Sequence, residues 1–446
     1  MSETKLIFHN GLQKIGGTIV EIRTETSRVI FDFSTEMGSD LERKENSLAQ
    51  RIKDGEFPFL EGWLSPELEA EVEVALGRQV NQDLRAKYAG RQAIFLSHLH
   101  LDHCEYINFS DPDIPVYASP GTRQMIQLLN EEGEFLAKGK CREANLGNCV
   151  DYTRPIQSLP AGEFAQVGDI KVELIPVDHD CLGASAIRVE TENGVIVYTG
   201  DIRLHGFFPE RTEAFMRRVK NCDVLISEGV SISFHDPDED SSYEVTTEPL
   251  LLDKVEEVLR AAAERPLLFN YYPGNLDRIE AWIKRLSPIR QVVLEAKNAK
   301  ILKECRGIEV PYYIEKSPVA GLDPALKLDI GTLIADAKRF FWQLDWLALK
   351  KIERKLAGGS YILSDAMPFG EWCDAWEDFL ELLAQAELEL LVMPSSGHAT
   401  TSDLKRIVAE IAPKILVPVH SLHPERLENP SGERLLPEKQ QEFVLN

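Results

Sequence analysis

The six consecutive residues His98-Leu99-His100-Leu101-Asp102-His103 put three imidazoles and a carboxylate into one short segment. Imidazole nitrogens and carboxylate oxygens suit zinc, and also manganese or iron. The preceding run Ala93-Ile94-Phe95-Leu96-Ser97 reads as a buried strand. A tight loop leaving it can turn His98 and His100 toward one ion, and Asp102 with His103 toward a second. Two ions need more donors than this loop supplies.

The rest of the chain offers donors in similar contexts. Val177-Asp178-His179 closes the apolar run Lys171–Pro176, Thr199-Gly200-Asp201 closes another, and Val417-Pro418-Val419-His420 ends a third. Taken singly, each reads more readily as a buried histidine or a turn aspartate than as a ligand. Taken together, they are strand ends, and strand ends converge on one rim of a sheet where side chains distant in sequence can meet.

The elements that must position these residues alternate between short apolar runs and amphipathic stretches, which predicts mixed α and β layers. Strands are expected at Thr18–Arg23, Arg28–Phe33, Ser185–Glu190, Val195–Thr199 and Asp223–Ser227. Asn193-Gly194 marks a hairpin turn. A helix is expected from Pro66, capped by Ser65 and ending near Gly77. Asp236-Pro237-Asp238-Glu239-Asp240-Ser241-Ser242 reads as an exposed acidic loop or linker. Beyond it helices and strands alternate cleanly: Leu250–Ala263, Leu267–Asn270, Leu276–Leu286, Gln291–Glu295, Ser360–Ser364 and Glu389–Met393. This pattern predicts an inserted α/β unit with a parallel sheet. Trp342, Trp346, Trp372 and Trp376 are read as packing between its helices. A final helix over Ser402–Ile411 and a strand over Lys414–Val419 follow.

Composition bounds the function. The chain has 446 residues, 43% hydrophobic and 27% charged, which excludes disorder as its main state. The absence of a long apolar run and of a signal-like N-terminus predicts no membrane association. Seven scattered cysteines favour reduced thiols, and so a cytoplasmic setting. A net charge of −24 argues against coating nucleic acid with the whole surface, so a polyanionic substrate would have to meet a confined site.

The ordered set His-x-His-x-Asp-His, His179, Thr199-Gly200-Asp201 and His420 resembles the metallo-β-lactamase fold. Asp32, closing the strand Val29–Phe33, matches that family's early aspartate. Leu225-Ile226-Ser227-Glu228-Gly229, Pro394-Ser395-Ser396-Gly397-His398-Ala399 and Pro418-Val419-His420 resemble motifs of the β-CASP nucleases, with the ribonuclease J-like branch the nearest pattern. The resemblance implies an α/β fold, an αββα sandwich carrying an inserted α/β β-CASP domain. The first part of the metallo-β-lactamase domain would span residues 1–235, the insert 236–388, and the second part 389–446.

The resemblance also implies roles. His98, His100 and His179 would hold one zinc, Asp102, His103 and His420 the other, and Asp201 would bridge them. Two Zn2+ per chain are expected, with Mn2+ the alternative. Asp102, Glu228 and His398 would be the catalytic residues, with Glu228 orienting His398 and His398 facing the scissile bond. Asp32 would support the histidine loop by hydrogen bonding. The expected activity is metal-dependent phosphodiester hydrolysis of single-stranded RNA by a hydroxide activated between two metals. The alternative is a metallohydrolase of the same fold acting on a small ester or phosphoester. Homo-oligomerisation is left open.

In the insert, the segment Tyr271–Arg278 follows a strand and opens a helix. A helix start plus Arg278 is one candidate phosphate seat, with Tyr271 or Tyr272 stacking a base. The other reading is a βα turn in which Asn275 caps the helix and Arg278 lies on the surface. Asn275, Arg278 and Ser396 are the expected substrate contacts.

Overall fold

The strand anticipated at Ala93–Ser97 forms over Gln92–Phe95, and its side chains divide by parity: Ala93 and Phe95 enter one core, Ile94 the other. Strands Arg28–Phe31 and Gly194–Tyr198 divide in the same way, as expected for sheets buried on both faces. The structure is a computed structural model that describes residues 3–36, 48–77, 82–131, 135–137, 154–234 and 245–445. The acidic stretch 236–242 lies outside the described residues.

Three sheets organise the chain. The first runs in the order Glu442–Leu445, Thr4–Asn10, Ile19–Arg23, Arg28–Phe31, Gln92–Phe95, Val116–Ala118, Ile156–Ser158. The second runs Glu433–Arg434, Ile415–Pro418, Val224–Ser227, Gly194–Tyr198, Ser185–Thr191, Ile170–Pro176, Phe164–Val167. One core lies between them. Phe8, Val29, Phe31 and Phe95 from the first sheet pack with Val172, Ile187, Tyr198 and Ile226 from the second. Phe31 and Tyr198 stack across it at 5.8 Å.

The third sheet is wholly parallel: Tyr312–Tyr313, Gln291–Glu295, Phe340–Gln343, Leu267–Tyr271, Ser360–Ser364, Glu389–Val392. Its edge strand Glu389–Val392 pairs with Ser360–Ser364. A return to the sandwich at residue 389 is therefore too early, because a short apolar run such as Glu389-Leu390-Leu391-Val392 does not declare which sheet it joins. Among the described residues no helix is long and apolar enough to cross a membrane.

Local signals set the helices as read. Ser65 Oγ accepts from the amide of Leu68, Pro66 opens helix Pro66–Leu76, and Gly77 closes it at φ 64°. Asn275 caps Leu276–Leu286, and Thr400 caps Thr401–Ile411.

Candidate metal centre

Six of the anticipated site residues sit just past the C-terminal end of a strand. Asp32 follows Arg28–Phe31, His98 follows Gln92–Phe95, His179 follows Ile170–Pro176, Asp201 follows Gly194–Tyr198, Glu228 follows Val224–Ser227, and His420 follows Ile415–Pro418. Arg28–Phe31 and Gln92–Phe95 are parallel, as are Gly194–Tyr198, Val224–Ser227 and Ile415–Pro418, so within each sheet these ends share one edge. The His98–His103 loop turns into a short helix, Leu101–Cys104, which carries Asp102 and His103, and the His103 ring lies 4.1 Å from that of His98.

Asp32 anchors that loop. At φ 56° its backbone is left-handed, and its carboxylate accepts from Ser97 N (2.8 Å), Ser97 Oγ (2.8 Å), Tyr198 OH (3.0 Å) and His103 Nδ1 (2.8 Å). The bond to His103 fixes its proton on Nδ1 and leaves Nε2 as a lone pair aimed inward. His179 is fixed likewise: its Nδ1 donates to the Gly397 carbonyl at 2.6 Å.

The inward-facing atoms include two adjoining groups. His98, His100, His179 and Asp201 offer ligand atoms within 4.8 Å of one another, and so do Asp102, His103 and His420. Asp201 sits between the groups, with Oδ2 3.5 Å from His98 Nε2 and 3.3 Å from His103 Nε2, and Oδ1 3.0 Å from His420 Nδ1. Asp102 Oδ2 is 3.5 Å from both His103 Nε2 and His420 Nε2.

These residues fit a pair of divalent cations. Nε2 of His98, His103 and His420 are buried and have no hydrogen-bond partner. Lone pairs that face one another and face carboxylate oxygens, out of reach of water, are stable only with positive charge between them. Burial holds His98 well below the usual histidine range and His179 at about 3, which favours the neutral imidazole that a metal would need. Burial also disfavours charge on His103, yet the carboxylates of Asp201, Asp102 and Asp32 raise it well above the usual range. Burial would raise Asp201, but His420, His103, His398 and His98 hold it well below the usual carboxylate range.

Glu228 and His398 meet beside this cluster. Glu228 is fully buried; Oε1 accepts from Ile202 N (3.2 Å) and Oε2 from Val230 N (3.1 Å). His398 Nδ1 lies 3.3 Å from Glu228 and 3.8 Å from Asp201 Oδ2. Burial lowers the His398 imidazolium, but the Glu228 and Asp201 carboxylates outweigh it and raise it to about 10. The ring is a quarter exposed. Tyr272, just past strand Leu267–Tyr271, sets its ring against His100 at 5.0 Å and brings the parallel sheet's rim onto the cluster.

Comparison with known proteins places the chain. A family profile described as "Beta-lactamase superfamily domain" matches residues 71–266. The crystal structure of a protein of unknown function from Enterococcus faecalis V583 superposes with a TM-score of 0.87, at 37% identity over 99% of this chain and 100% of that one. The chain belongs to the metallo-β-lactamase superfamily. It is also a distant homologue of β-CASP proteins. It is 20% identical to the Probable RNase MJ4 of Methanocaldococcus jannaschii over 93% of this chain and 92% of that protein. It is 21% identical to a Ribonuclease J of Helicobacter pylori over 92% of this chain and 54% of that protein. The fold is thus the metallo-β-lactamase sandwich with a parallel β-CASP-type sheet added.

Two expected substrate contacts occupy other places in this metallo-β-lactamase chain. Arg278 is fully buried: Nε and Nη2 donate to Glu248 (2.9 and 2.8 Å), Nη1 to Asp365 (2.7 Å), and Nη2 also to the Ser395 carbonyl (3.1 Å). Two carboxylates claim its donors, so it offers no phosphate seat and does not lie on the surface. Asn275 is the helix cap, its Oδ1 accepting from Arg278 N and its Nδ2 donating to Glu248, and it is buried. Ser396 is exposed, but its Oγ accepts from His398 N (3.1 Å) and its carbonyl accepts from Arg203 and His205. Trp342 is buried and Trp346 and Trp376 pack against the same core, whereas Trp372 is 70% exposed and stacks on Phe369.

One residue at the cluster escaped the sequence reading. Asp180 directs Oδ1 to within 3.2 Å of His179 Nε2 and 3.3 Å of His100 Nε2. Its only signal in the sequence is adjacency to His179, which does not distinguish a side chain turned inward from one turned outward.

Proposed function

We propose that this metallo-β-lactamase-fold protein is a metal-dependent phosphodiester hydrolase that cleaves single-stranded RNA. The observation that carries the reading is the Glu228–His398 pair beside Asp201. A hydrolase of small activated esters has little use for a carboxylate-supported imidazolium, whereas a poor alkoxide leaving group needs a proton donor. The distant homology to proteins named as ribonucleases adds weight to RNA as the substrate class.

Within this reading His98, His100, His179 and Asp201 hold one cation, and Asp102, His103, His420 and Asp201 hold the other. The ions would lower the pKa of an attacking water and neutralise charge that gathers on the phosphoryl oxygens. The chain's residues do the rest. Asp32 locks the loop that carries four of the donors. Glu228 keeps His398 protonated through Nδ1, so that the ring can give a proton to the leaving oxygen. Tyr272 closes one side of the centre against water. We divide the chain into a sandwich lobe and an insert that ends after Val392, with the site where the insert's rim meets the sandwich.

The net charge of −24 favours the second reading, a small ester or phosphoester as substrate. An assay separates the two. Metal-replete protein is offered single-stranded RNA with 5′-monophosphate or 5′-triphosphate ends, beside generic ester and phosphodiester substrates. Cleavage of RNA that a chelator abolishes supports the proposal, and turnover of the small substrates alone supports the alternative.

A further inference from the structure

We propose that Arg203 is a positioning residue for the proton donor: its guanidinium fixes the backbone turn that presents His398, and ties that turn to the insert through Glu248. The inference rests on the reading of His398 as proton donor, and not on which metal fills the centre.

His398 is held by its backbone neighbours more than by its own ring. The ring is a quarter exposed and meets Glu228 at 3.3 Å. One segment, the residues that follow Asp201, clamps the chain on both sides of it. After His398, Ala399 N donates to the Ile202 carbonyl at 2.6 Å. Before it, Arg203 Nη1 donates to the Ser396 carbonyl at 3.0 Å and to the Ser395 carbonyl at 3.4 Å. Ile202 N also donates to Glu228 Oε1 at 3.2 Å, so the same segment sets both members of the Glu228–His398 pair.

Arg203 is buried, which removes it from solvent and fits it for a fixed position. Its planar fork sends Nη1 to the loop carbonyls and Nη2 to Glu248 Oε1 at 3.1 Å. Glu248 begins helix Glu248–Ala261 and also accepts from Arg278 Nε and Nη2, so this carboxylate joins the insert to the loop. A lysine at 203 would keep the charge and lose the fork, because one ammonium does not reproduce two diverging donors.

Two explanations compete. His205 Nε2 donates to the Ser396 carbonyl at 2.8 Å and is a second hold on the loop. The Gly397 carbonyl accepts from His179 Nδ1 at 2.6 Å, so a loop displacement has a route to a proposed metal ligand as well. His179 is the less sensitive of the two histidines: its side chain is wholly buried, and the rings of His98 and His100 each lie 4.7 Å from its own.

The test is Arg203→Lys, made alone and together with His398→Ala. Metal content is read by mass spectrometry, kcat and KM on single-stranded RNA, and the ring nitrogens by NMR of protein labelled with 15N-histidine. Circular dichroism checks folding. Should Arg203→Lys not fold, Arg203→Gln takes its place, since it keeps an N–H donor and leaves Glu248 paired with Arg278. Arg203→Lys should retain its metal and its KM, lose about 10²-fold in kcat, and shift the His398 Nδ1 signal. Added to His398→Ala it should cost no further kcat, because groups that act through one another are not additive. A full second loss on the His398→Ala background would make Arg203 merely structural and overturn the proposal. Loss of metal in Arg203→Lys would place its effect at His179, and a larger kcat loss in His205→Phe would pass the role to His205; either overturns it too. Wild-type protein that leaves RNA intact would instead sink the RNA reading, and an unmoved His398 signal would then still overturn the positioning role.

Discussion

Asp32 and His103 stand 71 positions apart in the chain, and Oδ2 of the first lies 2.8 Å from Nδ1 of the second. This contact decides which nitrogen of His103 faces the metal centre. The same carboxylate also holds Ser97 and Tyr198, so one buried group aligns the donor loop with the opposite sheet.

Asp32→Asn replaces an acceptor with an amide whose NH2 opposes the His103 Nδ1 proton. Metal affinity should fall about 10- to 100-fold. Mass-spectrometric metal content after dialysis against a weak chelator reads this directly. Retention of a full metal complement would show that the His103 tautomer is set elsewhere.

His398→Ala removes the proposed proton donor and none of the proposed ligands. Metal content should equal wild type, and kcat on RNA should drop about 10²- to 10⁴-fold. Loss of metal along with activity would move His398 among the ligands.

Glu228→Gln tests how the donor is kept charged. A proton donor works while protonated, so activity declines as pH rises through its pKa. In the wild type the carboxylates of Glu228 and Asp201 overcome burial and hold His398 at about 10. Removing the Glu228 charge lowers that pKa, so the alkaline limb of the kcat–pH profile should move to lower pH. An alkaline limb that stays in place would detach Glu228 from His398.

Arg278→Met tests the correction made at the insert. Glu248 would remain fully buried with Arg203 as its one cationic partner. Stripping one partner from a buried ion network costs about 3–5 kcal/mol, so the variant should unfold at clearly lower denaturant concentration. An unchanged unfolding midpoint with a raised KM for RNA would return Arg278 to the substrate.

The cluster of candidate donors was legible in the sequence because metal ligation needs particular side chains, and strand ends announce themselves by an apolar run that stops. His98, His179, Asp201 and His420 all satisfy that pattern. Arg278 does not, because its burial depends on Glu248 and Asp365, which lie 30 and 87 positions away. Strand Glu442–Leu445 pairs with Thr4–Asn10 across nearly the whole chain, and no local signal predicts that register. Trp372 shows the limit of reading aromatic residues as core: composition does not separate it from buried Trp342.

The most direct test of the account follows an end-labelled single-stranded RNA with purified protein before chelation, after chelation, and after metal is restored. Cleavage that disappears with the metal and returns with it is the predicted result. Intact RNA in the metal-loaded sample, with both cation positions filled, would contradict the account.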